Sequence, residues 1–170
     1  MTRSLWVLRH AKAEPHRSDD HRRKLAARGR RQCAEVSEHL AGLTEGRPML
    51  VLCSSAERAL DTARGVVGGL GPDARIEVHP ELYRADAEGV LRAVSEVGDE
   101  LDAVMVVGHN PALADLLELL VDAADAAGRR QLANGLPTAS LVVVSSDADS
   151  WAGLSPGTCR LRSLYVPKAR

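Results

Sequence analysis

A chain of 170 residues is long enough to bury one core and too short for two domains. Its 22 Lys and Arg against 23 Asp and Glu leave a net charge of -1, which removes the basic surplus expected of a dedicated nucleic-acid binder. Phe is absent and only two Trp and two Tyr occur, so stacking faces for bases or sugars are nearly missing. No apolar run reaches the ~20 residues of a membrane helix, and residues 5–8 are too short for the core of a secretory signal. Cys33, Cys53 and Cys159 form no close pair, a pattern that reads as reduced thiols in a cytoplasmic protein. No repeat or low-complexity linker divides the chain, so residues 1–170 read as a single domain.

Residues 4–9 are almost continuously apolar, which predicts a central buried strand. A polar loop follows to about Lys24. Cys33, Val36, Leu40 and Leu43 are spaced 3, 4 and 3 apart and predict a helix over about 26–43. Gly29 disfavours helix by ~1 kcal/mol, so the helix is expected to start properly after it. Residues 49–53 form a second apolar strand, and Ser54-x-x-Glu57 has the form of a capping box. The helix it opens runs through Ala59, Ala63, Val66 and Leu70 to a Gly- and Pro-rich stop. Residues 76–78 predict a short third strand. Asp86 is placed to cap a helix with Val90, Leu91, Val94 and Val97 on one face. Residues 103–107 predict a fourth strand. After it Asn110 suits an N-cap and Pro111 the first helical position, with Leu113, Leu116, Leu117 and Leu120 on the apolar face. Residues 124–138 read as a loop, 140–144 as a fifth strand and 158–166 as a sixth at an edge.

Strands alternating with helices predict an α/β domain whose mostly parallel sheet is covered on both faces. Such sheets bind ligands beyond the carboxyl ends of their strands. Three of those ends carry polar groups: Arg9 and His10 after the first strand; Ser54, Ser55 and Arg58 after the second; His109 and Asn110 after the fourth. Parallel strands would bring all three to one edge, and two of these ends start helices whose free N–H groups favour anions. Two arginines offer planar forks that match phosphate oxygens. A neutral histidine can act as a nucleophile, and neighbouring positive charge lowers its pKa. A second histidine, if protonated, can donate to developing negative charge. The six histidines make no HxH, HExxH or Cys/His pattern, so neither a metal nor another cofactor is expected.

The set Leu8-Arg9-His10-Ala11, residues 54–59 (SSAERA) and Val107-Gly108-His109-Asn110-Pro111, in that order, resembles the histidine phosphatase superfamily (phosphoglycerate mutase-like) and best its short SixA-type phosphohistidine phosphatase branch. Residues 25–32, Pro80-Glu81-Leu82-Tyr83 and Leu136-Pro137-Thr138-Ala139 extend the likeness over most of the chain. The resemblance implies a three-layer α/β/α sandwich with a six-stranded, mostly parallel sheet containing one antiparallel strand. It implies a transient phosphohistidine on His10, with Arg9, Arg58 and His109 holding the phosphoryl group. Larger members protonate the leaving group with a separate acid, and Glu81 is the nearest match here. Only 50 residues separate Arg58 from His109, fewer than in the mutase and acid-phosphatase relatives, which implies an open, shallow site suited to a phosphorylated protein.

The expected function is therefore a metal-independent phosphatase acting through His10, with phosphohistidine on a protein as the favoured substrate. A small-molecule phosphomonoesterase with the same mechanism is the alternative, for a sugar or nucleotide phosphate. A phosphate-dependent binding module without turnover is weaker, because a binder needs no nucleophile. Cys53-x4-Arg58 is one residue short of the C-x5-R phosphate loop of cysteine phosphatases and has no glycine within it, so Cys53 reads as a buried thiol. The basic stretch from His16 to Arg31, which includes Arg17, reads as a solvated face and alternatively as a rim attracting acidic partners. No nucleic-acid or membrane partner is expected, and the oligomeric state is left open, a monomer included.

Overall fold

The computed structural model describes residues 2–16, 18–44 and 47–169, so Arg17 of the basic stretch lies outside the described residues. Strand β1 (Arg3–Arg9) leads through a loop to α1 (Ala27–Ala41), then β2 (Leu50–Ser54) and α2 (Glu57–Val66). After α2 comes a 3-10 turn, then β3 (Arg75–His79), a second 3-10 turn (Pro80–Tyr83) and α3 (Ala87–Ser95). The chain continues with β4 (Ala103–Gly108), α4 (Ala112–Leu120), α5 (Ala126–Leu132), β5 (Leu141–Ser146) and β6 (Arg160–Tyr165). The strands form one sheet in the order β3-β2-β4-β1-β5-β6. β1 to β4 are parallel to their neighbours in this group, and β5 runs antiparallel to both β1 and β6. This is the mixed sheet with one reversed strand, with β6 at its edge.

Both sheet faces are covered, which explains why the central strands read as unbroken apolar runs. Side chains alternate along a strand. Leu5 and Val7 of β1 therefore join Leu52, Val104 and Val106 beneath α3 and α4, while Trp6 and Leu8 join Val51, Met105 and Val107 beneath α1 and α2. The helical stripes complete each layer: Val90 and Val94 with Leu113, Leu116, Leu117 and Leu120 on one side, Cys33, Val36 and Leu40 with Ala59, Ala63 and Val66 on the other. Among the described residues no helix is long and apolar enough to cross a membrane.

Four local expectations are corrected. Helix α1 begins at Ala27 and runs through Gly29, because the helix packs so closely on the first loop that a Cβ at Gly29 would collide with the Lys12 carbonyl oxygen. Ser54 is not an N-cap. It ends β2, and α2 starts after Ala56 with no side-chain cap. Asn110 does not cap α4 either; its Nδ2 donates to the Leu136 carbonyl at 3.2 Å, and the helix starts at Ala112 with Pro111 at the cap. Part of the expected loop 124–138 is the short helix α5, capped by Asp125, whose side chain accepts from the Gly128 N–H at 2.9 Å. That helix lacks an apolar stripe, which is why periodicity misses it. The Asp86 cap is present, accepting from the Gly89 N–H at 2.8 Å.

Candidate active site

The strand register assembles the site. Arg9 lies opposite Gly108 and Cys53 opposite Val107, so the chain leaving β1, β4 and β2 emerges side by side at one sheet edge. The His10 N–H donates to the Gly108 carbonyl at 3.0 Å, which continues the pairing one residue past the strand. The first loop is then fixed to both neighbouring helices. The Ala11 N–H donates to Thr62 Oγ1 of α2 at 2.9 Å, and the Lys12 N–H to Gln32 Oε1 of α1 at 2.9 Å. Further on, the Glu57 N–H at the start of α2 donates to the His21 carbonyl at 3.0 Å.

His10 is 8% exposed, and its Nδ1 lies 2.8 Å from the Ala11 carbonyl oxygen. A carbonyl only accepts, so Nδ1 carries the hydrogen and Nε2 keeps a free lone pair. That lone pair faces Arg58, whose Nε donates to it at 3.3 Å. Burial, reinforced by the charges of Arg58 and Arg9 and opposed by the Ala11 bond, lowers the His10 pKa to about 4. His109 sits 5.2 Å from His10 between ring centroids. Arg58 Nη2 donates to its Nδ1 at 3.4 Å, so its Nε2–H is the donor to Ser54 Oγ at 2.7 Å. Burial, then His10 and Arg58, lower the His109 pKa to about 3. The sequence admits a protonated second histidine; with its pKa lowered this far, this one is neutral near pH 7.

Arg9 donates from Nη1 to the Leu136 carbonyl at 2.6 Å, and burial lowers its pKa. Among the described residues its buried Nε has no hydrogen-bond partner. Arg58 is 5% exposed. The structure thus brings Arg9, His10, Arg58 and His109 to one place. Glu81 is elsewhere in its contacts: its carboxylate, 63% exposed, accepts from His79 Nδ1 at 2.9 Å. Its own backbone N–H and His79 hold it below the usual carboxylate range.

Three further side chains border the site without a signal of their own in the sequence pattern: Asp20, Tyr83 and His21. Asp20, which lies within the basic stretch, accepts from Arg58 Nη2 at 3.1 Å, Tyr83 Oη at 2.7 Å and Arg23 Nε at 2.9 Å. The Tyr83 hydroxyl first of all holds its carboxyl well below the usual range; burial opposes this, and the Arg58 and Arg23 charges add to the lowering. Tyr83 stands edge-on to His109 at 5.7 Å and to His21 at 4.8 Å. His21 Nε2 lies 3.0 Å from Ser55 Oγ. Much of the basic stretch is engaged locally, Arg22 with Asp19, Arg23 with Asp20 and Arg30 with the Leu25 carbonyl. Cys53 faces the α1/α2 layer, and burial pushes its thiol up to about 12. Among the described residues no three His, Cys, Asp or Glu side chains gather as a metal-ligand set.

Comparison with known proteins gives the family and the fold. Residues 5–87 match the histidine phosphatase superfamily, branch 1. An uncharacterised protein of Mycobacterium tuberculosis is 34% identical over 168 residues, covering 95% of this chain and all of that protein. A protein of Nakamurella multipartitia, provisionally named phosphohistidine phosphatase SixA, superposes with a TM-score of 0.86 at 26% identity over 99% of this chain and 98% of that one. A protein of Agrobacterium tumefaciens, provisionally given the same name, shares the fold with a TM-score of 0.79 at 24% identity, over 97% and 98% of the two chains. The chain belongs to the histidine phosphatase superfamily, in its SixA-like branch.

Proposed function

We propose that this protein is a phosphatase that removes phosphate from phosphohistidine on a protein through a covalent intermediate on His10. The observation that carries the reading is the His10 tautomer: its Nδ1–H is committed to Ala11, and its bare Nε2 lies within reach of the Arg58 fork. Nε2 attacks phosphorus while the substrate's N–P bond breaks, and the bonding pair goes to the departing imidazole nitrogen. That imidazole leaves neutral when its other nitrogen carries a proton. Water then attacks phospho-His10, releases inorganic phosphate and restores free His10. Arg9 and Arg58 hold the phosphoryl oxygens, and His109, once a dianion raises its pKa, donates to them.

The preference for an N–P bond rests on proton supply. An alkoxide leaving group needs an acid, yet both Asp20 and Glu81 are held below the usual carboxylate range and are ionised at neutral pH. Glu81 would serve as acid only after substrate displaced His79 from it. The open span from Arg58 to His109, which holds only α2, β3, α3, β4 and two short turns, suits a phosphorylated side chain on a large partner.

The test is phosphate transfer from phosphoramidate, followed by hydrolysis of a phosphohistidine peptide and of p-nitrophenyl phosphate. An acid-labile label is expected on the wild type and absent from His10→Ala, with hydrolysis reduced about a thousandfold or more. Faster turnover of p-nitrophenyl phosphate than of the peptide would favour the phosphomonoesterase. Absence of label and of turnover on either substrate would leave a binding module.

A further inference from the structure

The guanidinium of Arg58 has two working edges, and they face different groups. Its Nε and Nη2 point to His10 Nε2 at 3.3 Å and His109 Nδ1 at 3.4 Å. Both contacts are long bonds to neutral rings, of the kind a phosphoryl oxygen would replace. The other side is gripped by one residue. Nη1 donates to the Asp20 main-chain carbonyl at 2.8 Å, and Nη2 donates to Asp20 Oδ2 at 3.1 Å. Asp20 is itself held. Tyr83 Oη donates to the same Oδ2 at 2.7 Å, and Arg23 Nε to Oδ1 at 2.9 Å. The Arg58 guanidinium also lies 6.0 Å from the Tyr83 ring centroid, so Tyr83 stands beside both members of the pair.

We infer that Asp20 is a positioning residue that turns the Nε/Nη2 edge of Arg58 toward the two histidines, with Tyr83 as its brace. The inference rests on the phosphatase reading above, in which that edge receives the phosphoryl oxygens. An arginine at the start of a helix has four rotatable side-chain bonds. Without the carboxylate the fork keeps one main-chain acceptor and loses its second point of attachment, so it can turn about the remaining bond, and misplacement by about 1 Å is enough to cost roughly a hundredfold in rate. The carboxylate also has an opposing effect. Its negative charge beside Arg58 weakens the attraction of the pocket for phosphate. Asp20 therefore sacrifices ground-state affinity for orientation, and the two effects separate in kinetics.

Asp20→Ala should lower kcat about 10- to 100-fold while KM stays level or falls. Inorganic phosphate, measured by calorimetry on the free protein, should bind equally or more tightly. Tyr83→Phe removes one hydroxyl and should move kcat the same way by a few-fold. This second variant keeps the inference testable if Asp20→Ala folds poorly, which thermal melts would reveal. In an Arg58→Lys background, which has no fork to orient, Asp20→Ala should change kcat less than twofold. Unchanged kcat in both Asp20→Ala and Tyr83→Phe overturns the inference. So does a fall in kcat/KM carried by a rising KM, or a full effect persisting in Arg58→Lys. A wild type that neither binds phosphate nor forms phospho-His10 overturns the underlying reading and this inference with it.

Discussion

As the proposed nucleophile, His10 meets two requirements through one ring. A nucleophile must be unprotonated, and its attacking nitrogen must be the one facing substrate. Burial meets the first and the Ala11 carbonyl the second. A pH dependence follows. In the free enzyme the acid limb of kcat/KM should lie near pH 4, well below the ordinary histidine value of 6.5, as a pH-rate profile on a phosphohistidine peptide would read. Stability moves in the same window. The unfolded chain protonates these histidines below pH 6.5, while the folded chain resists until about 4 at His10 and about 3 at His109. The unfolded state then binds more protons, so stability falls as pH falls from 6.5 toward 4. Above 6.5 both states are neutral and the contribution vanishes. His10→Ala should flatten the loss between urea unfolding measured at pH 7 and at pH 5.

Helix α1 shows how an element serves a site it does not enter. Its first turns lie against the loop that follows His10, with the Ala26 N–H donating to the Lys12 carbonyl at 2.9 Å and Gln32 accepting from the Lys12 N–H. Gly29 permits that approach, and an added methyl would meet the Lys12 carbonyl oxygen. Gly29→Ala improves helix propensity yet should destabilise the fold by about 1–3 kcal/mol, the usual consequence of forcing extra volume into a packed contact. Denaturant midpoints would measure this. Phosphatase activity should fall as well, because Ala11 and Lys12 carry the strain toward His10.

At the scale of the whole molecule, the sheet order makes the pocket. β4 inserts between β1 and β2, so residues about 50 and 100 positions apart emerge as neighbours. The same sheet buries the three free cysteines. Burial raises all three thiols, Cys33 to about 11 and Cys53 to about 12. Iodoacetamide at neutral pH should therefore leave activity intact and modify these residues only after unfolding, which mass spectrometry would show. Modification of Cys53 in the folded protein with loss of phosphate transfer would move the nucleophile from His10 to Cys53.

By itself the sequence determined the elements with strong apolar periods and the polar groups at three strand ends, since both depend on neighbours in the chain. Arg9, His10, Arg58 and His109 were legible for that reason. Folding in three dimensions set how β4 separates β1 from β2, which face of each histidine is free, and why Gly29 lies inside a helix. It also turned two apparent caps to other partners: Ser54 bonds His109, and Asn110 bonds the Leu136 carbonyl. The carboxylate that meets Arg58 is Asp20, while the motif-based candidate Glu81 pairs with His79. Each of these outcomes depends on which distant group reaches a donor or acceptor first, and local periodicity carries no record of that.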